Sequence, residues 1–136
     1  MSKKLKLIDL ESHGSNESTL NVISFQRHLP FNPQRIFYVL NNKVNEIRGE
    51  HAHKDCWQFL VPMYGAVEVY THDGKEEELF ILENKNQGLL LPPMVWSRQT
   101  YKTNDNILLA ITSHDYDPED YIHKFDDFLI EVSEEN

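Results

Sequence analysis

Two histidines separated by a single alanine are the residues in this sequence best suited to chemistry. His51 and His53 lie in the stretch RGEHAHK, and a strand-like run, residues 57–63, follows them. In an extended chain, residues two apart point to the same face, so both imidazoles would project into the same space. Such a pair could bind a metal ion, could transfer protons, or could form a hydrogen-bonded pair in an inert polar cavity.

Short strands separated by turns make up most of the chain. The pair Asp73-Gly74, between two apolar runs, is a strong hairpin signal. Residues 118–132 look helical because they follow Asp117-Pro118 and carry apolar residues three or four positions apart. Several short strands joined by short turns, followed by this one helix, predict an all-β fold, a small antiparallel barrel with a C-terminal helix. The predicted strands, rich in β-branched and aromatic residues, are residues 35–40, 57–63, 66–72, 78–82, 88–91 and 107–112.

Length, charge and cysteine content limit the classes of protein to which the chain can belong. A chain of 136 residues suits a single domain, residues 1–136. The formal net charge of −9 argues against nucleic-acid binding, which needs a basic face. Apolar stretches fall short of the roughly 20 residues of a membrane span, and the N-terminus has no signal-like apolar segment. The one cysteine, Cys56, fits a reducing compartment. Together these features lead us to expect a cytoplasmic protein without nucleic-acid or membrane partners.

The spacing around the histidine pair resembles the first motif of the cupin family. Four residues separate His53 from Gln58, and six more separate Gln58 from Gly65. The segment from Gly88 to Ser97 resembles the second cupin motif. Metal-binding cupins use three imidazoles and a carboxylate, whereas Gln58 stands at the carboxylate position and Ser97 at that of the third histidine. We therefore expect no native metal and no other cofactor, and proton transfer by the two histidines.

A closer resemblance is to the WxcM-like cupins, relatives of the deoxysugar 3,5-epimerase (RmlC-like) barrel. The segment from Arg48 to Lys54 is similar to their R-G-x-H-A-H-K signature, and the likeness extends over about residues 7–129. This resemblance implies an RmlC-like cupin fold and a cytoplasmic homodimer. It also implies a metal-independent 3,4-ketoisomerase of deoxysugar biosynthesis, whose partner is a thymidine-diphosphate-linked 4-keto-6-deoxyhexose. We expect residues 6–10 to cross or flank the dimer interface.

The resemblance also implies roles for individual residues. His51 and His53 would supply the base and the acid or shuttle that move a ketone from C4 to C3, and their order is open. Basic residues near the pair would bind the diphosphate, although each could instead form a surface ion pair. Aromatic residues could stack on the substrate or could simply pack in the core. The substrate-binding candidates are Arg35, Tyr38, Arg48, Lys54, Gln58, Trp96 and Ser97.

Several departures from the family pattern leave other functions open. Ser12-His13-Gly14 stands where Ser-Arg-Gly is usual, Ser97 where histidine is common, and His114 where an acidic residue is common. A different nucleotide sugar is therefore possible. So are another cofactor-free isomerase or epimerase and a non-catalytic barrel that binds a sugar nucleotide or a partner. The epimerase chemistry would use a His–Asp dyad and a tyrosine acid, and the sequence does not place that dyad.

Overall fold

Antiparallel strands dominate the computed structural model, which describes residues 4–135. In chain order the elements are β1 (Lys6–Asp9), β2 (Glu11–Gly14), β3 (Thr19–Val22), α1 (Phe25–His28), β4 (Arg35–Leu40), β5 (Ile47–His53), β6 (Gln58–Tyr64), β7 (Val67–His72), β8 (Glu77–Leu82), β9 (Gln87–Leu91), β10 (Trp96–Tyr101), β11 (Ile107–Thr112), a 3-10 turn (Pro118–Asp120), β12 (Tyr121–Ile122) and α2 (Phe125–Glu135). The all-β prediction with a C-terminal helix is confirmed. Within residues 4–135, neither helix has the length and apolar character needed to cross a bilayer.

Two five-stranded sheets enclose the main core. Their strand orders are β1-β9-β6-β11-β4 and β12-β5-β10-β7-β8, and β2 and β3 form a separate hairpin. Alternate residues of both sheets point inward, so Leu60 and Leu108 of the first sheet share one apolar cluster with Val69 and Tyr101 of the second. The hairpin predicted at Asp73-Gly74 joins β7 to β8, and the Asp73 carboxylate accepts backbone N–H groups of the turn.

The C-terminal helix begins at Phe125, so the prediction of a helix over residues 118–132 is wrong for its first part. Asp117 caps a 3-10 turn by accepting the Glu119 N–H. Tyr121 and Ile122 then form a short strand beside β5. Their three-to-four spacing from Phe125 imitates a helix, but pairing with β5 buries Ile122 and satisfies the backbone. The helix packs on the outer face of the second sheet through Phe128 and Val132.

Two strands are absent from the predicted set: β5, which carries the histidine pair, and β10, which is paired with β5. Their sequences, IRGEHAH and WSRQTY, are polar and charged. The apolar alternation that reveals a strand is missing there because the inward face of these strands carries polar side chains in place of core residues. All six predicted strands are confirmed, with boundaries that differ by no more than one residue.

Candidate active site

Strand β5 presents the histidine pair to the space between the sheets. His51 lies opposite Ser97, whereas Arg48 lies opposite Gln99, so three steps along β5 match two along β10. This bulge centres on Gly49, whose φ of +71° favours glycine. Cross-strand partners share a face of the sheet, so the extra residue places Arg48 on the same inward face as His51. Without the bulge, two residues three positions apart would face opposite sides.

The second histidine is held by a carboxylate. His53 Nδ1 lies 2.9 Å from Asp120 Oδ2, and both side chains are about nine-tenths buried. The other carboxylate oxygen accepts the Asp55 N–H, and the Lys54 N–H donates to the Asp120 carbonyl. These contacts fix the carboxylate, which in turn fixes the orientation of the imidazole. The Nε2 atom of His53 is buried and has no hydrogen-bond partner among residues 4–135, so it can exchange a proton with a bound molecule.

Aromatic rings surround the pair. The His51 and His53 rings meet edge to face, with centroids 4.9 Å apart. Tyr121 lies opposite His53 on the neighbouring strand, and its ring centroid is 4.4 Å from that of His53 and 4.8 Å from that of His51. His123 stacks on Tyr121 at 5.4 Å. The three histidines and the tyrosine therefore form one continuous group of rings.

Burial keeps both imidazoles neutral. Desolvation lowers the pKa of His51 to about 4, and the neighbouring His53 and His123 act in the same direction. Burial also lowers the pKa of His53, an effect that the Asp120 carboxylate opposes. The pKa of Tyr121 is raised, chiefly by burial. At neutral pH the site therefore holds two proton acceptors and a protonated phenol.

One row of cross-strand partners brings Arg35 and Gln58 to the same place. Both residues pair with Thr112 of β11, Arg35 from β4 and Gln58 from β6. They line a cavity of about 10 Å³ together with His53 and Tyr121. The guanidinium of Arg35 lies over the rings of Phe37 and Tyr116. The cavity is too small for a sugar, so a substrate would approach from the side where His51 is partly exposed.

The cupin metal-binding arrangement does not fit these residues. Gln58 and Ser97, which stand where a carboxylate and a third imidazole would be needed, are both buried. They offer a neutral amide and a neutral hydroxyl, which are weak ligands for a divalent transition metal. The two histidines at this position therefore lack the donors of a metal-binding cupin.

The structure brings some of the remaining predicted site residues toward the pair and places others elsewhere. Arg48 shares the inward face, but it is half exposed, and its Nε donates to Asn42 Oδ1 at 2.6 Å and lies 3.4 Å from Glu46. Lys54 is exposed just beyond the end of β5. The structure does not bring Tyr38 or Trp96 to the histidines. Strand alternation turns both outward: Tyr38 is 63% exposed on β4, and Trp96 packs beneath α2.

Sequence reasoning missed Asp120, Tyr121 and His123. All three lie in the segment that looks like the start of a helix, where a carboxylate is an ordinary surface residue. A usable signal was present in the alternation of Tyr121 and His123, two polar aromatic residues separated by one apolar residue. That pattern repeats the one seen at the histidine pair and is typical of a strand with one polar inward face.

These features define a cupin-like barrel with a buried histidine–carboxylate pair between its sheets. The chain belongs to the WxcM-like, C-terminal family (FdtA), whose sequence profile matches residues 3–133.

Proteins similar to this chain include sugar-nucleotide isomerases. The chain is 31% identical over 123 residues to TDP-4-oxo-6-deoxy-α-D-glucose-3,4-oxoisomerase of Aneurinibacillus thermoaerophilus, covering 90% of this chain and 88% of that one. The structure of this chain is similar to that of the 3,4-ketoisomerase QdtA of Thermoanaerobacterium thermosaccharolyticum in complex with TDP. The TM-score is 0.92 at 27% identity, with 99% of this chain and 98% of that one covered. The TDP-fucose-3,4-ketoisomerase WlaRA of Campylobacter jejuni gives a TM-score of 0.86 at 31% identity, with 93% and 94% covered.

Proposed function

We propose that this protein is a 3,4-ketoisomerase that converts a thymidine-diphosphate-linked 4-keto-6-deoxyhexose into its 3-keto isomer in deoxysugar biosynthesis. The observation that carries the proposal is the neutral pair His51 and His53, of which His53 is buried and is oriented by Asp120. The named activities of the related proteins support the same reaction. A histidine-to-asparagine variant of QdtA is known in complex with TDP-4-keto-6-deoxyglucose.

The reaction needs two proton-transfer groups on neighbouring atoms of the sugar. The C3 proton leaves, O4 gains a proton to give an enediol, O3 then loses its proton, and C4 receives one. No electrons enter or leave, since the two carbons exchange oxidation states. His51 and His53 are neutral and adjacent, so one can accept the carbon-bound proton while the other serves the oxygens. Asp120 keeps the Nδ1 proton of His53 in place, which leaves Nε2 as the reactive atom.

The alternative function is an epimerase. His53 and Asp120 form the kind of His–Asp dyad that epimerase chemistry would use and that the sequence alone does not place. Epimerisation removes a proton from one face of a carbon and returns it to the opposite face. Tyr121 lies beside His53 on the adjacent strand and contacts His51 as well. The base and the phenol would thus reach the sugar from the same side. This arrangement suits transfer between C3 and C4 better than inversion at one carbon.

Basic residues are proposed to bind the diphosphate. Arg48 shares the inward face of β5 with His51, and Arg35 lines the cavity next to His53 with its Nε buried and unpaired among the described residues. Lys54 lies one residue beyond the pair. In a protein of net charge −9, these cations would offset the charge of a nucleoside diphosphate. Gln58 and Ser97 are buried beside the histidines and are proposed to hydrogen bond with the sugar.

A homodimer is proposed for the assembly. The outer face of β4, β6 and β11 carries exposed apolar side chains, and β4 is an edge of its sheet. A patch of this kind on a sheet edge favours association with a second copy. The exposed side chains of the patch are Ile36, Tyr38, Leu40, Met63 and Ile107.

A cytoplasmic location is also proposed, because Cys56 is a free, buried thiol and free thiols are typical of a reducing compartment.

The deciding experiment incubates the protein with the thymidine-diphosphate-linked 4-keto sugar in deuterated water and follows the product by NMR. A ketoisomerase forms the 3-keto sugar and incorporates deuterium at C4. Deuterium at C3 or C5 of a 4-keto sugar whose configuration is inverted at that carbon would instead establish an epimerase. With a binding protein that lacks activity, the substrate would incorporate deuterium no faster than in a protein-free control.

A further inference from the structure

Three side chains of different donor chemistry meet at His53, one member of the proposed catalytic pair. His53, Cys56 and Asp120 each offer a nitrogen, sulfur or oxygen atom, and these three atoms lie within 4.8 Å of one another. Cys56 and the histidine are both buried, and the aspartate is partly buried. All three line the cavity of about 10 Å³, a volume that holds one water molecule or one ion.

This donor set matches a borderline-soft transition metal. Zinc is bound by imidazole nitrogen, thiolate sulfur and carboxylate oxygen, whereas magnesium and calcium take oxygen ligands. The charges around the cavity also favour a cation. Three aspartates, Asp115, Asp117 and Asp120, are among its lining residues, against one arginine, Arg35. We propose that His53, Cys56 and Asp120 form a binding site for Zn²⁺, and that the ion inhibits the enzyme when it binds there.

The geometry requires only small movements. Tetrahedral zinc holds its ligands at about 2.0–2.3 Å, which places neighbouring donor atoms about 3–4 Å apart. The donor atoms, within 4.8 Å of one another, would close by about 1 Å, a shift that rotation of the Cys56 side chain can provide. On binding, the thiol S–H loses its proton to solvent and the sulfur forms the bond to zinc. A water molecule would complete the coordination.

Inhibition follows because the site shares a residue with the proton-transfer pair. An imidazole bound to zinc, or held by a zinc-bound carboxylate, can no longer shuttle protons between the sugar and the solvent. This part of the inference rests on the proposed function. The binding itself does not, so the two are tested separately.

Binding is tested with Co²⁺ as a spectroscopic substitute for Zn²⁺ on the purified full-length protein. Because Cys56 is the single cysteine of the chain, a thiolate-to-cobalt charge-transfer band in the near ultraviolet can come only from this residue. We expect that band in the native protein, its loss in Cys56→Ala, and its displacement by Zn²⁺ but not by Mg²⁺. Visible cobalt bands without the thiolate band, or a band that persists in the variant, would overturn the site.

Inhibition is tested by titrating Zn²⁺ into the isomerase assay. Cys56 plays no part in the proposed proton transfers, so Cys56→Ala and Cys56→Ser should turn over substrate at close to the native rate without metal. We expect a chelator to reverse the inhibition, and both variants to need about 10- to 100-fold more Zn²⁺, since loss of even an outer-shell partner has this effect. Equal inhibition of the native protein and both variants would place the inhibitory ion elsewhere. Absence of turnover in every sample would contradict the proposed function, while the cobalt spectrum would still decide the site.

Discussion

Asp120 holds His53 from a position 67 residues further along the chain, with 2.9 Å between Oδ2 and Nδ1. The carboxylate belongs to the 3-10 turn before β12, and the same turn pairs its next residue, Tyr121, with His53. One short segment therefore supplies both the group that orients the imidazole and the ring that covers it. Its position next to a proposed proton-transfer residue makes the turn part of the candidate active site.

The carboxylate should therefore be a positioning residue, and Asp120→Asn tests this role. The variant keeps the size of the side chain but removes the charge that raises the pKa of His53. We expect turnover to fall by about 10²-fold or more, the scale of a disturbed acid–base group, and the NMR-monitored pKa of His53 to fall further. Asp117→Asn, in the same turn, is the matched control because asparagine also caps. Equal losses in both variants would assign Asp120 a structural role only.

Replacing either histidine of the pair should abolish most of the activity. We expect His51→Asn and His53→Asn each to reduce turnover by about 10²-fold or more, with folding retained because asparagine is polar and of similar size. His72→Asn is the control, since His72 packs against Phe125 on the outer face of the second sheet. Rapid-quench or NMR rates, paired with thermal melts, separate catalysis from stability. A variant lacking both histidines that still isomerises substrate would remove the pair from the mechanism.

The low pKa of His51 should make the protein less stable in mild acid. Its pKa is about 4 in the folded protein and about 6.5 in an unfolded chain. Between these values the unfolded chain binds a proton that the folded protein does not, so the contribution of His51 to stability falls as the pH drops from about 6.5 to about 4. Denaturant melts at about pH 7 and about pH 5 measure the difference. His51→Asn should show a smaller loss between the two; an unchanged loss would mean that other groups cause it.

The sequence predicts those features of both sheets that depend only on local pattern. Strand β4 is predicted at its true boundaries because RIFYVL consists almost entirely of strand-forming residues. The histidine face is predicted because His51 and His53 are two apart in an extended segment. Neither inference needs to know which strands become neighbours.

Several of the missed features depend on pairing between distant segments. The bulge at Gly49 exists only relative to β10, and Asp120 becomes a partner of His53 only when β12 pairs with β5. The outward direction of Trp96 is likewise fixed by the register of β10 with β7. Local patterns do not encode such registers, so the residues that orient the proposed catalytic groups are harder to predict than the groups themselves.

The apolar patch on the outer face of β4, β6 and β11 should be a dimer interface. Multi-angle light scattering should give twice the 16.0 kDa of one chain. Ile36→Glu introduces a charge into the patch and should shift the protein toward a monomer, because a charge buried at an interface is costly. Leu79→Glu, equally exposed on β8 of the other sheet, is the control. A native protein that is monomeric at micromolar concentration would contradict the dimer.

Removing the charge of Arg48 should weaken binding of the diphosphate and leave binding of the nucleoside unchanged. Arg48→Met keeps much of the apolar stem, so packing should be preserved. We expect the affinity for thymidine diphosphate to fall by about 1.5–3 kcal/mol, the range for hydrogen bonds to charged groups, and to become less sensitive to salt. Arg98→Met is the control, since Arg98 lies over Tyr70 on the outer face of the second sheet. Calorimetry with thymidine and thymidine diphosphate distinguishes the outcomes. If Arg48→Met binds both ligands more weakly by the same factor, Arg48 maintains the bulge through Asn42 and Glu46, and the phosphates bind elsewhere.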